Sequence, residues 1–533
     1  MNRRDFLNLS VITATTAALA GCGRPAEPAF ISQGQMPEFY LPGIAQWYAT
    51  TCTECSAGCG IAVRVIGGRA KKVEGIGHHP LSHGGHCLRA ETSLQALYNP
   101  DRLGQPWKGS EPQTAWDEAV KAVAASFGKK GGLWITGPLT GTLGALIVGA
   151  AHATQSKIWV LDFPGGAAER AAMKAVNGKA HLPYHEIHDA DYVVNFGGDF
   201  LASWHPNNVD YNWQYGEFRN GRKRKRRGVL VSFSSRMNLT VAVSDKWVPV
   251  RPGTEGLVAQ AVLTLLGKAE GGAKVTAEAA AKEAGIEANL IERLAERLKD
   301  ARKAVAIGGV ENTAYANGLS SMAAITALNH ALSKGKTATF EPDMLVAPKG
   351  STLLKAPKLP ALAAPKEGAK GSFTLIPYPS PVLGDGSISN RPWAAELPDP
   401  MAQAVWTTWV EMNPKTCEEL KIKRMDLVTL TSENGEKVDL PVLPSPSVHP
   451  EALAIPMGLG HTSFGRYAYG KGYNPMNLVA PTFQEGTDEM AWAGTKVTVT
   501  KTGQNGFGEP GQKGWVTTYD WRAGDMKRSL YED

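Results

Sequence analysis

The sequence predicts an α/β protein that ends in a β-barrel and opens on a segment organised by cysteines. Three observations predict this. Apolar runs of strand length alternate with helical patterns through the middle of the chain. From about residue 405 onward they give way to short strands separated by turns. Ahead of both, three cysteines share one short loop and a fourth follows later. The 533 residues are 43% hydrophobic and 20% charged, ordinary globular usage and enough chain for several domains. The formal net charge is +6, much of it in the basic run at 219–227. So mild an excess does not indicate nucleic-acid binding; the run reads as a solvated loop, an anionic-lipid contact or a contact with an acidic partner.

The N-terminus carries an export pattern. Arg3-Arg4-Asp5-Phe6-Leu7 is a twin-arginine motif, followed by an apolar run at 11–20. Leu19-Ala20-Gly21-Cys22 then places small residues before a cysteine, as in a bacterial lipobox. The run is too short to span a bilayer and reads as a signal segment, residues 1–22. Diacylation of Cys22 is expected to anchor the mature chain by two acyl chains on the periplasmic side of the cytoplasmic membrane.

Five cysteines remain. Cys52, Cys55 and Cys59 supply three thiols from one loop, and Cys87 returns with a fourth. A cubane needs four converging thiolates, so this three-plus-one spacing favours a [4Fe–4S] cluster. Zinc, whose four-cysteine sites usually come as two separated pairs, and disulfides in an exported protein are the competing readings. Gly58 and Gly60 let the backbone bend closely around a cluster. Cys417 has no partner in sequence and reads as a small buried residue. His78 and His79 read as surface or packing residues.

Further along, Trp116-Asp117-Glu118-Ala119 opens a helical pattern. Buried parallel strands are predicted at 191–196, 229–233 and 247–250, with a strand-then-glycine unit at 304–309 and a helix after Ala314. Alternation of this kind predicts a doubly wound sheet. Residues 346–372, rich in Lys, Pro, Ala and Gly, read as a linker or surface loop. Strands at 426–430, 437–442, 452–456 and 495–500 then predict the barrel.

Residues 51–103 closely resemble the N-terminal domain of the molybdopterin oxidoreductase (complex iron–sulfur molybdoenzyme) family. The matching elements are the four cysteines, Glu74-Gly75-Ile76-Gly77-His78-His79-Pro80, and Leu97-Tyr98-Asn99-Pro100-Asp101-Arg102-Leu103. The resemblance implies a small antiparallel sheet around the cluster, and places Arg89 where members hold a basic residue between cluster and pterin. It continues through Arg251-Pro252-Gly253-Thr254-Glu255 and into the barrel at Trp409-Val410-Glu411-Met412-Asn413-Pro414. After the signal at 1–22 the expected order is a cluster domain at 45–105, α/β domains at 106–345, the linker, a family-like connecting segment at 373–404, a barrel at 405–505 and a tail at 506–533.

Catalytic members ligate molybdenum between two pterin guanine dinucleotides, through a residue of the first α/β domain. The corresponding region, about 131–200, has no cysteine; Ser156 and Asp162 are the sole candidates, and neither sits in a family-like motif. Molybdenum bis-MGD is therefore not expected, and no catalytic residue is assigned. Trp204, His205 and Pro206 stand where members contact cofactor. Tyr378-Pro379-Ser380, Asp385-Gly386, Asn390-Arg391-Pro392-Trp393 and the 461–467 stretch are similar to the molybdopterin-oxidoreductase-like subunits of alternative complex III and, more closely, of the periplasmic menaquinone reductase complex (Qrc). With no Cys-x-x-Cys-His the chain has no covalent haem site. The resemblance implies a subunit carrying electrons from periplasmic cytochrome c to the quinone pool. Its partners would be a multihaem cytochrome c, a ferredoxin-like multi-cluster Fe–S subunit and a polytopic quinone-binding membrane subunit. The enzyme alternative is an active molybdenum bis-MGD reductase of the polysulfide or thiosulfate type.

Overall fold

The computed structural model describes residues 43–505 and 516–517, apart from 113–114, 128–130, 138–140, 161–165, 203–206, 223–225, 270–273, 334–337, 341–361, 363–370, 485 and 488. The signal, Cys22, Asp162, Trp204, His205, Pro206, most of the linker and most of the C-terminal tail therefore lie outside the described residues.

An antiparallel three-stranded sheet comes first, with β1 (Gln46–Thr51), β2 (Gly60–Ile66) and β3 (Arg69–Gly75) in that order. Two short helices, α1 (Leu88–Glu91) and α2 (Ser93–Leu97), pack on β3. Next comes a separate unit of α3 (Trp116–Phe127), β4 (Leu133–Thr136), α4 (Gly141–Ala153) and β5 (Lys157–Val160), in which β4 and β5 form a parallel pair. Helix α5 (Ala167–Asn177) leads into the main α/β layer.

That layer is a four-stranded sheet of β6 (Tyr192–Phe196), β7 (Val229–Ser234), β8 (Lys246–Pro249) and β9 (Ala304–Gly308). All pairings are parallel and the order is β8-β7-β6-β9, so winding reverses between β6 and β9. This is the doubly wound arrangement that the alternating runs predict, and its switch point lies at the carboxyl ends of β6 and β9. Apolar residues along β6 and β9 are buried, as a parallel sheet covered on both faces requires. Helix α6 (Asn208–Arg219) joins β6 to β7. Helix α7 (Glu255–Leu265) is apolar around nearly its whole circumference and is correspondingly buried from Glu255 to Leu263, against α8 (Gly318–Leu332) and the sheet.

The barrel is closed, with β10 (Ser372–Tyr378), β11 (Val410–Met412), β12 (Asp426–Ser432), β13 (Lys437–Pro444), β14 (Ala452–Pro456) and β15 (Lys496–Asn505) in the order β10-β14-β11-β13-β12-β15. The predicted strands are present. One assignment needs correcting: the start of the 373–404 connecting segment is itself a barrel strand. β10 pairs in parallel with β14, far away in sequence, and a continuous apolar run containing Pro377 gives no local sign of that pairing. Cys417 is buried in the barrel core, as read from sequence. Among the described residues no helix is long and apolar enough to cross a membrane.

Candidate functional site: a four-cysteine loop and the segment that closes over it

Strands β1 and β2 pair up to Thr51 opposite Gly60, so residues 52–59 form the loop of a hairpin. Cys52 and Cys59 stand at its two feet, and the Cys52 amide donates to the Cys59 carbonyl at 2.8 Å. Gly58 takes the left-handed conformation there (φ +63°), which a side chain would disfavour. Cys55 lies nearer the tip. Cys87 arrives at the N-terminal cap of α1 after a loop that folds back on the hairpin. That return is close enough that a Cβ at Gly75 would lie 2.2 Å from the Gly84 carbonyl oxygen.

Cys52 and Cys59 are buried, Cys55 and Cys87 half-buried, with Ile61, Val73, Ala90 and Leu94 around them. Burial first, and the neighbouring thiols as well, push the Cys52 thiol up to about 11 and Cys59 up to about 12; burial also raises Cys55. Four thiolates gathered in such a place require a cationic core between them, which iron supplies. Among the described residues no three His, Cys, Asp or Glu side chains are gathered tightly enough for a single metal ion.

The flanking histidines pack rather than converge on the thiols. His79 fills the space beside Gly60, and His78 is exposed. His83 bonds Asp210 at 3.1 Å and stacks on Trp213 at 4.1 Å. His86 and Lys72 both bond Glu91, at 2.7 and 2.6 Å, fastening α1 to β3.

Arg89 turns from the cysteines toward the connecting segment. Its charge lowers the Cys55 thiol's pKa, while its Nη2 lies 3.8 Å from Asp385. Gly384 (φ +62°) is crowded so closely by that nitrogen that a Cβ would sit 2.5 Å away. Arg391 is buried and donates to the Arg89 carbonyl at 2.9 Å and to Glu54 at 2.6 Å. Asn99 bonds the Asn390 carbonyl, the Trp393 amide bonds Gln95, and Leu88 packs on the apolar cluster of Val382, Leu383 and Ile388. The motifs singled out at 380–393 thus form a plug on the inner side of the cysteine loop.

At the switch point the two glycine loops lie against each other. The Gly198 amide is taken by Asn195 Oδ1 and the Gly309 amide by Asn312 Oδ1, while Glu311 N donates to the Gly197 carbonyl. A Cβ on Gly197 would meet Asn312 and Glu311 at 3.2 Å. The amides of Gly198 and Gly309 are thus satisfied within the chain.

Beside them runs a buried ionic network that the sequence reading missed. Arg236 pairs with Glu411 at 3.2 Å and lies over the Tyr378 ring at 3.4 Å, and Tyr378 donates to Glu411 at 2.6 Å. Asn238 donates to Glu311 at 3.2 Å, and Asp199 accepts from Thr240 at 3.0 Å. Burial pushes Glu311 up to about 8 and Glu255 up to about 7. The available signal was an arginine just after a buried strand and a glutamate inside the apolar run Val410–Met412. The hydroxyl of Ser156, a considered metal ligand, bonds that of Thr154 at 2.8 Å.

Residues 45–99 match the family model for the molybdopterin oxidoreductase Fe4S4 domain, and residues 393–492 match that for the molybdopterin dinucleotide binding domain. The chain thus carries a molybdopterin oxidoreductase Fe4S4 domain and a molybdopterin dinucleotide-binding domain. It is 28% identical over 251 residues to the menaquinone reductase molybdopterin-binding-like subunit of Nitratidesulfovibrio vulgaris, covering 43% of this chain and 34% of that one. It is 26% identical over 285 residues to the molybdopterin-containing subunit of the arsenate respiratory reductase of Shewanella sp. ANA-3, covering 49% and 32%. The matches thus span about a third of these relatives' length. Acetylene hydratase from Pelobacter acetylenicus shares the fold, with a TM-score of 0.58 at 10% identity over 85% of this chain and 100% of that one.

Proposed function

We propose that this molybdopterin-oxidoreductase chain is the [4Fe–4S] subunit of a membrane-bound menaquinone reductase complex. It is lipid-anchored through Cys22 on the periplasmic side and takes part in electron transfer from periplasmic cytochrome c to the quinone pool. Cys52, Cys55, Cys59 and Cys87 hold the cluster, which supplies one-electron storage when bound. The surrounding residues do the rest: Ile61, Val73 and Leu94 exclude water, and Arg89 holds a positive charge near Cys55.

The observation that carries this reading is a combination. The four cysteines stand together in one partly buried site, while the 380–391 segment packs on the cysteine domain and the switch-point amides are paired within the chain. No molybdenum chemistry is therefore assigned. Similarity to the menaquinone reductase subunit supports a complex, and the partners proposed for it are a multihaem cytochrome c, a ferredoxin-like multi-cluster subunit and a polytopic quinone-binding subunit.

A second reading, an active molybdenum reductase, is favoured by the dinucleotide-binding match at 393–492 and by the likeness to a respiratory reductase. Metal and pterin analysis of protein purified anaerobically from its native membrane separates the two. About four irons per chain without molybdenum, tungsten or pterin is expected. Near-stoichiometric molybdenum with pterin would overturn the proposal.

A further inference from the structure

The cysteine loop carries a charge of its own, and a segment between two barrel strands neutralises it. Glu54 lies inside the loop, between Cys52 and Cys55. Burial is the main cause of the raised Cys52 and Cys55 thiols, and the Glu54 carboxylate adds to it at both. Arg391, 337 positions away in sequence, donates to Glu54 at 2.6 Å. The two side chains are 8% and 22% exposed, so salt screens the pair little. Arg391 also donates to the Arg89 carbonyl at 2.9 Å, which seats its guanidinium against α1.

A second, opposite charge stands on the same segment. Asp385 Oδ1 lies 3.8 Å from Arg89 Nη2, too far for a hydrogen bond but close enough for ionic attraction. The carboxylate is fixed in that place. Its Oδ1 accepts from the Ser387 amide at 3.1 Å and from the Ser387 hydroxyl at 2.7 Å. The turn before it is closed by backbone bonds between Ser380 and Gly384, at 3.0 and 2.8 Å. Ser380 Oγ tightens the same turn by accepting from the Val382 and Leu383 amides at 3.2 Å.

These contacts set two fixed charges of each sign beside the thiols: Glu54 and Asp385 negative, Arg89 and Arg391 positive. Reduction of a centre held by the cysteines adds one negative charge there. Nearby carboxylates disfavour that electron and nearby guanidinium groups favour it, most strongly where water is excluded. Groups one contact removed from the ligands are where a protein tunes a metal centre. The 380–391 segment contributes one charge of each sign, and each faces a charge of the cysteine domain. Because that segment runs between β10 and β11, the balance of charge at the thiols depends on how the barrel seats against the cysteine domain.

We propose that the 380–391 segment sets the reduction potential of the cluster through two opposed charges, Arg391 cancelling Glu54 and Asp385 offsetting Arg89. The inference rests on the [4Fe–4S] reading of the four cysteines and adds the residues that fix how readily the centre takes an electron. Redox titration of the cluster-loaded chain, followed by electron paramagnetic resonance, tests it. Arg391→Gln leaves the Glu54 carboxylate uncancelled and should shift the equilibrium about tenfold toward the oxidised form, a fall of roughly 60 mV for a one-electron couple. Asp385→Asn releases Arg89 and should shift it about threefold toward the reduced form, less because this pair is longer and more exposed. Arg391→Lys and Asp385→Glu keep the charges and should stay near wild type. Loosening alone would admit water in both variants and move both potentials the same way, so opposite signs separate charge from packing. Should Arg391→Gln lose its iron, the Glu54→Gln, Arg391→Gln double variant should match wild type while Glu54→Gln alone lies above it. Shifts of one sign, or none, in protein that keeps about four irons would overturn the tuning and leave the cluster standing. Protein purified anaerobically from its native membrane without iron would remove both.

Discussion

Glu311 offers a direct measure of the buried network at the switch point. Its Oε1 accepts from Asn238, whereas Oε2 is buried without a partner among the described residues. Burial raises its pKa from 4.5 to about 8; Arg236 lowers it less, and Asp199 and Glu255 raise it further. The folded chain therefore keeps this proton over a range in which the unfolded chain has lost it. Native protein binds more protons than unfolded protein from about pH 4.5 to about pH 8, so stability falls as pH rises through that window. The slope from one such group is about 1.4 kcal/mol per pH unit. Glu311→Gln mimics the neutral acid, keeps an acceptor for Asn238 and does not titrate. Its advantage over wild type should grow by about 2–3 kcal/mol between pH 5 and pH 7. Glu255 titrates in both proteins and largely cancels in the comparison. Thermal midpoints of the cluster-loaded protein at pH 5, 6 and 7 read this as a gap widening by about 2–3 °C. Parallel curves would refute the reasoning, because they would mean that Glu311 is ionised in the folded chain at all three pH values.

Other perturbations test separate parts of the structure. Arg236→Ala strands Glu411 without its cation and should cost about 3–5 kcal/mol, whereas an Arg236→Met, Glu411→Leu double variant should recover most of the loss; equal losses would argue against the pairing. Cys87→Ser should reduce iron content and the visible absorbance of the cluster to a small fraction of wild type, and full iron retention would remove Cys87 from the ligand set. Arg89→Gln takes a positive charge from beside Cys55, disfavours the added electron and should lower the cluster potential by on the order of tens of millivolts; an unchanged redox titration contradicts the assigned placement. Gly384→Ala forces a Cβ into Arg89 at a left-handed φ and should cost about 1–3 kcal/mol, with a changed electron paramagnetic resonance signal as the cluster-side readout.

Legibility in the sequence followed the range of the interactions. The four cysteines, the buried parallel strands and the later barrel strands were readable because each announces itself within a few residues. Ser372–Tyr378 was assigned to a connector because its partner, Ala452–Pro456, lies on the other side of the barrel sequence. Arg236 and Glu411 were invisible for the same reason: they meet across 175 positions, and neither residue alone implies a buried pair. The motifs at 380–393 could be noticed through family resemblance, but their work became apparent only where Arg391 reaches Glu54 and the Arg89 carbonyl. His83 shows the opposite case, a histidine four residues before Cys87 whose partners, Asp210 and Trp213, belong to α6 and make it a packing residue.

The plug and the ionic network have one consequence in common: each joins parts of the chain that are far apart in sequence. Arg391 fastens the segment between barrel strands to the cysteine domain, and Arg236–Glu411 fastens the parallel sheet to the barrel. A buried ion pair contributes little net stability over apolar packing, but it strongly disfavours any arrangement that separates its members. In this way the two contacts fix the cysteine domain, the parallel sheet and the barrel in one mutual orientation.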